Sequence, residues 1–227
     1  MRIQVAGIRA WWTLLVVAFL QAGCETVPSN RSLHDSADLM RARSDATRSV
    51  VIGRIEWREH GEKQATNVGP FSTSFAPAML RMGDKTRIVG GLESDGRFAW
   101  SLQPGKYFLY KMAYHDAWSG EGQFSLKYAF NVPRAGEIYY VGMLEVKFTP
   151  KRKLLGELIG SPASFAVRDM SDRDLPEFQR SLNLPLDDVH KSLMVWNSSL
   201  PAGVDTNKEL TQANEVMDAM FGGVPSK

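Results

Sequence analysis

The chain has 227 residues, 27 of them basic and 25 acidic, with 44% hydrophobic residues and a single cysteine. These proportions match those of globular domains and exclude a many-span membrane protein, a disulfide scaffold, a collagenous chain and a fully disordered one. A formal charge of +2 is too small to draw nucleic acid by bulk electrostatics, so no nucleic-acid partner is expected.

Residues 1–23 read as a signal peptide. Arg2 and Arg9 make a basic start without an acid, Ala10–Leu20 is apolar but for Thr13, and Gln21-Ala22-Gly23 leads to Cys24. This run of 11 residues rises about 16 Å as a helix at roughly 1.5 Å each, against about 30 Å of bilayer hydrocarbon. A permanent span is the alternative; it would need Ile3–Ala22, with Arg9 and Gln21 inside it.

The stretch Leu20-Gln21-Ala22-Gly23-Cys24 resembles the lipobox of bacterial lipoproteins, with small residues beside the cut. It departs at Gln21, where that family usually has an aliphatic side chain. The resemblance implies that the Cys24 sulfur takes a diacylglycerol and that the new amino group is acylated after cleavage. Cys24 is then the lipidation site, and the bilayer is the first partner. Each buried methylene contributes about 0.8 kcal/mol, so several chains hold firmly where one does not. Glu25 follows the cysteine, where aspartate would favour the inner membrane. By the same resemblance, the expected place is the periplasmic face of the outer membrane. Plain secretion, with a chance cysteine at this position, is the alternative. Without residues 1–23, the chain carries 25 basic and 25 acidic residues, so the slight basic excess belongs to the signal.

Residues 24–48 read as the lipidated cysteine and a flexible tether. Leu33, Leu39 and Met40 are the main large apolar groups there, too few to repay ordering the backbone. As a coil, 24 residues span roughly 25–30 Å. A short helix over Ala37–Ala46 is the other reading.

From Ser49 to Val167 the apolar period is two, the mark of half-buried strands. Phe124, Leu126, Tyr128, Phe130 and Val132 alternate with polar or small residues, and so do Phe98, Trp100 and Leu102. The same period puts Phe108, Tyr110, Met112 and Tyr114 on one face. It puts Ile138, Tyr140, Gly142, Leu144, Val146 and Phe148 on one face of another strand. Val51, Ile55 and Trp57 predict the first strand, Met79–Met82 and Thr86–Leu92 the next two, and Ser164–Val167 the last. Ser94-Asp95-Gly96, Gln103-Pro104-Gly105 and Pro133-Arg134-Ala135-Gly136 supply tight turns between them. About eight strands at this spacing predict an antiparallel β-sandwich.

Asp95-Gly96-Arg97-Phe98 followed by Leu102-Gln103-Pro104-Gly105-Lys106-Tyr107 is similar to a pattern of transthyretin-like, carboxypeptidase-regulatory-like β-sandwich domains. Gly136-Glu137-Ile138-Tyr139-Tyr140-Val141-Gly142 resembles a strand of small bacterial lipoproteins built on that fold. The resemblance covers about Ser49–Val167. It implies a transthyretin-like fold and a non-catalytic role, and it carries over no active-site residue.

Beyond Asp169 the period becomes helical. Leu175, Phe178 and Leu182 predict one helix, and Leu186, Val189 and Leu193 another, with Pro185 between them. Thr206-Asn207-Lys208-Glu209 reads as a capping box, and Gly222-Gly223 as a helix stop. Between them Leu210, Ala213, Val216, Met217, Met220 and Phe221 form a stripe, expected to dock on the protein's own sheet. The expected fold is thus mainly β, an antiparallel sandwich over 49–196 with short helices, and a 197–227 tail whose amphipathic helix packs on it.

Candidate chemistry is sparse. His34, His60, His115 and His190 form no H-x-x-x-H pair, and no second cysteine offers a thiolate ligand. No metal and no cofactor is therefore expected. There is no nucleophile elbow and no phosphate loop. His115-Asp116 reads as a solvent-facing pair, with a base or ligand role as the alternative. Lys147 and Lys151-Arg152-Lys153 read as a solvated hairpin tip, with lipid phosphate contact as the alternative. Strand parity leaves Tyr107 and Trp118 as the surface aromatics able to hold a sugar ring or small ligand.

Three functions stay open, in this order. The first is a non-enzymatic, membrane-anchored lipoprotein acting as an interaction or structural module on an envelope protein. The second is a glycan- or small-ligand-binding module using Tyr107 and Trp118. The third is a hydrolase with an unrecognised site at His115 and Asp116.

Overall fold

The computed structural model describes residues 29–65, 73–116, 120–148, 151–152, 158–159 and 163–222. In chain order the strands are β1 (Ser29–Asn30), β2 (Ser49–Glu59), β3 (Glu62–Lys63), β4 (Ser74–Arg81), β5 (Thr86–Gly90), β6 (Arg97–Leu102) and β7 (Gly105–Asp116). They continue with β8 (Gly120–Val132), β9 (Ile138–Phe148), β10 (Lys151–Arg152), β11 (Leu158–Ile159), β12 (Ala163–Arg168), β13 (Val189–Lys191) and β14 (Val195–Trp196). Helices cover Ser36–Ser44, Ser171–Leu182 and Asn207–Phe221.

One sheet runs β1-β5-β4-β7-β8-β14. In the other, β2 and β9 lie side by side; β6 and β3 continue from β2, while β12 and β13 continue from β9. Pairing is mostly antiparallel; the parallel ladders are β1–β5, β2–β9 and β13–β9. The chain is thus mainly β, with helices added.

The two sheets share one apolar cluster. Val51, Trp57, Phe98, Trp100 and Leu144 of one meet Phe75, Met79, Leu109, Phe130 and Val132 of the other. Phe98 stacks on Trp100 with ring centroids 3.7 Å apart. On the far side of the β2–β9 sheet, Val50, Ile52, Ala99, Ile138 and Tyr140 are covered by Leu39, Phe178 and Leu182 of the first and middle helices. On the far side of the other sheet, Leu80, Phe108 and Ala129 meet Ala213 and Met217 of the C-terminal helix. That helix has the expected capping box: the Thr206 hydroxyl accepts from the Glu209 amide, and the Glu209 carboxylate accepts from the Thr206 amide at 2.9 Å.

Four expectations are corrected. Ile138 and Tyr140 face the helices, whereas Leu144 and Val146 face the shared cluster, so one face does not run through β9. Gly142, at φ +89°, lies between the paired stretches where the β2 register jumps, and this bulge reverses the alternation. A second shift lies between Leu109 and Lys111. Phe108 and Tyr110 therefore belong with the C-terminal helix, while Met112 and Tyr114 join the shared cluster.

Third, Leu186–Asp188 is one 3-10 turn and Val189–Lys191 is a strand, not a helix. β12 pairs with β9 only from Met143 onward, leaving backbone groups at Ile138–Tyr140 to be satisfied. β13 satisfies them, and a buried strand edge outweighs weak helical spacing. Fourth, residues 29–48 are not a tether. Asp35 caps the first helix by accepting from the Asp38 amide, and Leu39 and Ala42 of that helix are buried. Ahead of it, Leu33 donates to the Ala99 carbonyl at 2.8 Å and Ser32 accepts from the Ala99 amide at 3.0 Å.

Candidate functional site: an arginine-lined cavity beside the first strand

A cavity of about 270 Å³ opens where β1, the β4–β5 turn and the β6–β7 turn converge. Its apolar floor is Ile88, Leu102 and Tyr107, and its wall carries Arg31, Arg48 and Arg81, with Asn30, Thr86 and Gln103 between them. None of these lining residues is acidic.

Each cation is placed differently. Arg81 ends β4; its guanidinium forks onto Asp84 and also donates to the Gln103 side-chain oxygen, so it is fully engaged. The Arg81 fork, joined by hydrogen bonds from Thr86, holds the Asp84 carboxyl well below the usual carboxylate range. Arg48 precedes β2 and is half-buried; its Nε donates to Ser101 Oγ at 2.9 Å and one Nη to the Ser101 carbonyl. Its other Nη has no partner among the described residues. Arg31, just past β1, is exposed and likewise has none among them. Two guanidinium groups thus keep donors for an anion, in the fork geometry that suits carboxylate or phosphate.

Tyr107 is not a surface platform. Its ring is fully buried and stacks on Phe130 at 5.1 Å, because it lies before the β7 register shift on the inward face. Its hydroxyl donates to the Gln103 carbonyl at 2.5 Å, and burial pushes its pKa up to about 12, so it stays protonated. Trp118 and Cys24 lie outside the described residues, as do Lys153 and the side chains of Lys151, Arg152 and Asp116. His115 is exposed at the end of β7, with Nδ1 3.4 Å from Glu121 Oε1. His60 turns the β2–β3 connection at φ +52°. Lys147 is exposed, 3.6 Å from Glu145. Among the described residues, no group of three or more His, Cys, Asp or Glu converges to hold a metal.

A buried ion network had no signal in the sequence. Asp174, fully buried, accepts from Arg54 Nε and Arg173 Nε at 3.0 Å each and from the Tyr140 hydroxyl at 2.9 Å. Arg54 also pairs with Glu177. Glu56, equally buried, accepts from Arg58 at 2.5 Å and Arg173 at 3.3 Å. Burial works to raise the Glu56 pKa, but Arg58, Lys63 and Arg173 outweigh it and the net direction is down. These contacts fix the middle helix to β2 and β9, and Arg58 Nε lies 3.3 Å from Glu145 Oε1. The cluster is a clamp rather than a binding site.

The described residues thus define a mainly β protein with a basic cavity. No protein-family model matches the chain, and no curated protein matches it significantly. Among the described residues, no helix is long and apolar enough to cross a membrane.

Proposed function

We propose that this chain is an envelope lipoprotein, held by acyl chains on Cys24 at the periplasmic face of the outer membrane. Its two facing sheets are a transthyretin-like β-sandwich, acting as a non-enzymatic interaction or structural module. The observation that carries this reading is the place of Cys24: the chain's one cysteine closely follows an 11-residue stretch that is apolar but for Thr13, and four residues separate it from the first described strand. The cluster shared by the two sheets supports the sandwich, and the turn at Asp95-Gly96, with Gly96 at φ +84°, supports the transthyretin-like pattern.

The test is Cys24→Ala in a bacterial host. The expected result is loss of radiolabelled palmitate from the protein and its release from the outer-membrane fraction. Unchanged labelling and fractionation would overturn the anchor. The glycan platform is not retained, since it needs an exposed Tyr107 ring.

A further inference from the structure

We infer that the cavity of Arg31, Arg48 and Arg81 binds a phosphate group, and that on the anchored protein this phosphate belongs to a membrane lipid. The second clause rests on the lipoprotein reading; the first does not.

Charge comes first. Three guanidinium groups line the cavity, and Asp84 is the carboxylate that touches one of them, which leaves two positive charges for a ligand. A phosphate monoester carries close to two negative charges and several acceptor oxygens, so it answers both free guanidinium groups at once. Preorganisation comes next. Ser101 fixes Arg48 through its Nε and one Nη, so the remaining donor is held without further ordering of a long side chain. The Asn30 amide donates to the same Ser101 carbonyl at 2.6 Å, which ties β1 to the cavity wall. Size agrees: about 270 Å³ lies just below the roughly 300–1,000 Å³ of drug-sized ligand sites and suits a headgroup fragment.

Location selects the source. Asn30 and Arg31 line the cavity and lie six and seven residues after Cys24. At most about 3.6 Å per residue, Asn30 is within roughly 22 Å of the anchored cysteine. A 24-residue coil would have left the domain free to stand off. With residues 29–48 packed onto the sheets, the leash is only residues 25–28, and the cavity is kept near the headgroups.

The test uses the full chain as the bacterial host processes it, in non-ionic micelles, titrated calorimetrically with short-chain phosphatidic acid and, separately, with inorganic phosphate. The expected result is one saturable site for phosphatidic acid, with tighter binding than for inorganic phosphate. Arg31→Glu should weaken it at least tenfold, and Arg31→Gln with Arg48→Gln should abolish it. Arg31 is exposed without a described partner, so its variant retains the fold. Arg87→Gln, on β5 outside the cavity and paired with Asp205, should bind as the parent does. Equal affinity for both probes would keep the phosphate site and overturn its assignment to a lipid. No saturable binding, or binding untouched by the Arg31 and Arg48 changes, would overturn the site itself. Fractionation of Cys24→Ala reads the anchor alone, so either idea can fail without the other.

Discussion

At the scale of single residues, the buried charges separate stability from binding. Asp174 takes three hydrogen bonds from Arg54, Arg173 and Tyr140 with no water-facing side. Asp174→Ala leaves buried Arg54 with Glu177 as its closest remaining carboxylate and removes the acceptor of Arg173 and Tyr140, and it should cost about 3–5 kcal/mol in urea unfolding. Glu56 adds a pH dependence. Its carboxyl titrates lower folded than unfolded, so its contribution is present above about pH 4.3, the ordinary glutamate value, and is lost as pH falls through the folded value. Unfolding midpoints followed from pH 7 to pH 3 should drop below about pH 4.3, and Glu56→Gln should flatten part of that drop. An equal slope in the variant would assign the acid sensitivity to other carboxylates, such as Asp84. None of this network was legible beforehand. Arg54, Glu56 and Arg58 alternate with Ile55 and Trp57 in β2, which is also how a solvent-facing row of charges reads.

At the scale of elements, local chemistry was legible and pairing was not. The capping box at Thr206 and Glu209 involves neighbours in sequence, so the C-terminal helix starts where its residues say. Its apolar stripe docks on Leu80, Phe108 and Ala129 as expected. Met217→Ala, at a fully buried site of that stripe, should cost about 2–5 kcal/mol, whereas Lys208→Ala on the exposed side should change stability by less than about 0.5 kcal/mol. Chemical denaturation of the two variants checks this, and similar losses would mean that the stripe is not the docking face. β9 and β7 show the opposite case. Their apolar residues predicted strands, but each strand changes face at a register shift, and such a shift depends on the partner. Gly142 signals its bulge after the fact: at φ +89°, a Cβ there would lie 3.2 Å from the Arg168 carbonyl oxygen. β13 depends on its partner even more, as three residues paired to a strand edge that β12 leaves open.

At the scale of the whole molecule, the largest change concerns residues 29–48. Their few apolar groups predicted a coil, yet Leu39 and Ala42 complete a cluster that Phe178 and Leu182 leave unfinished. Ordering this segment costs backbone entropy, and the β2–β9 sheet offsets that cost because its outer face would otherwise be wet. The same docking places Asn30 and Arg31 beside Arg48 and Arg81. The cavity thus gathers residues spread over more than fifty positions, each unremarkable where it stands in the sequence.

The sequence by itself determined what depends on neighbouring residues: the strand and turn periodicity from Ser49 to Val167, and the cap and stripe of the last helix. Only the tertiary structure decided which face Tyr107 takes, where the bulges fall, how the charges of β2 are matched, and that three arginines share one cavity. Periodicity and caps are short-range and survive as patterns in the chain. Register, burial and charge pairing arise between distant segments, and they are set by which surfaces would otherwise be left unpaired or wet.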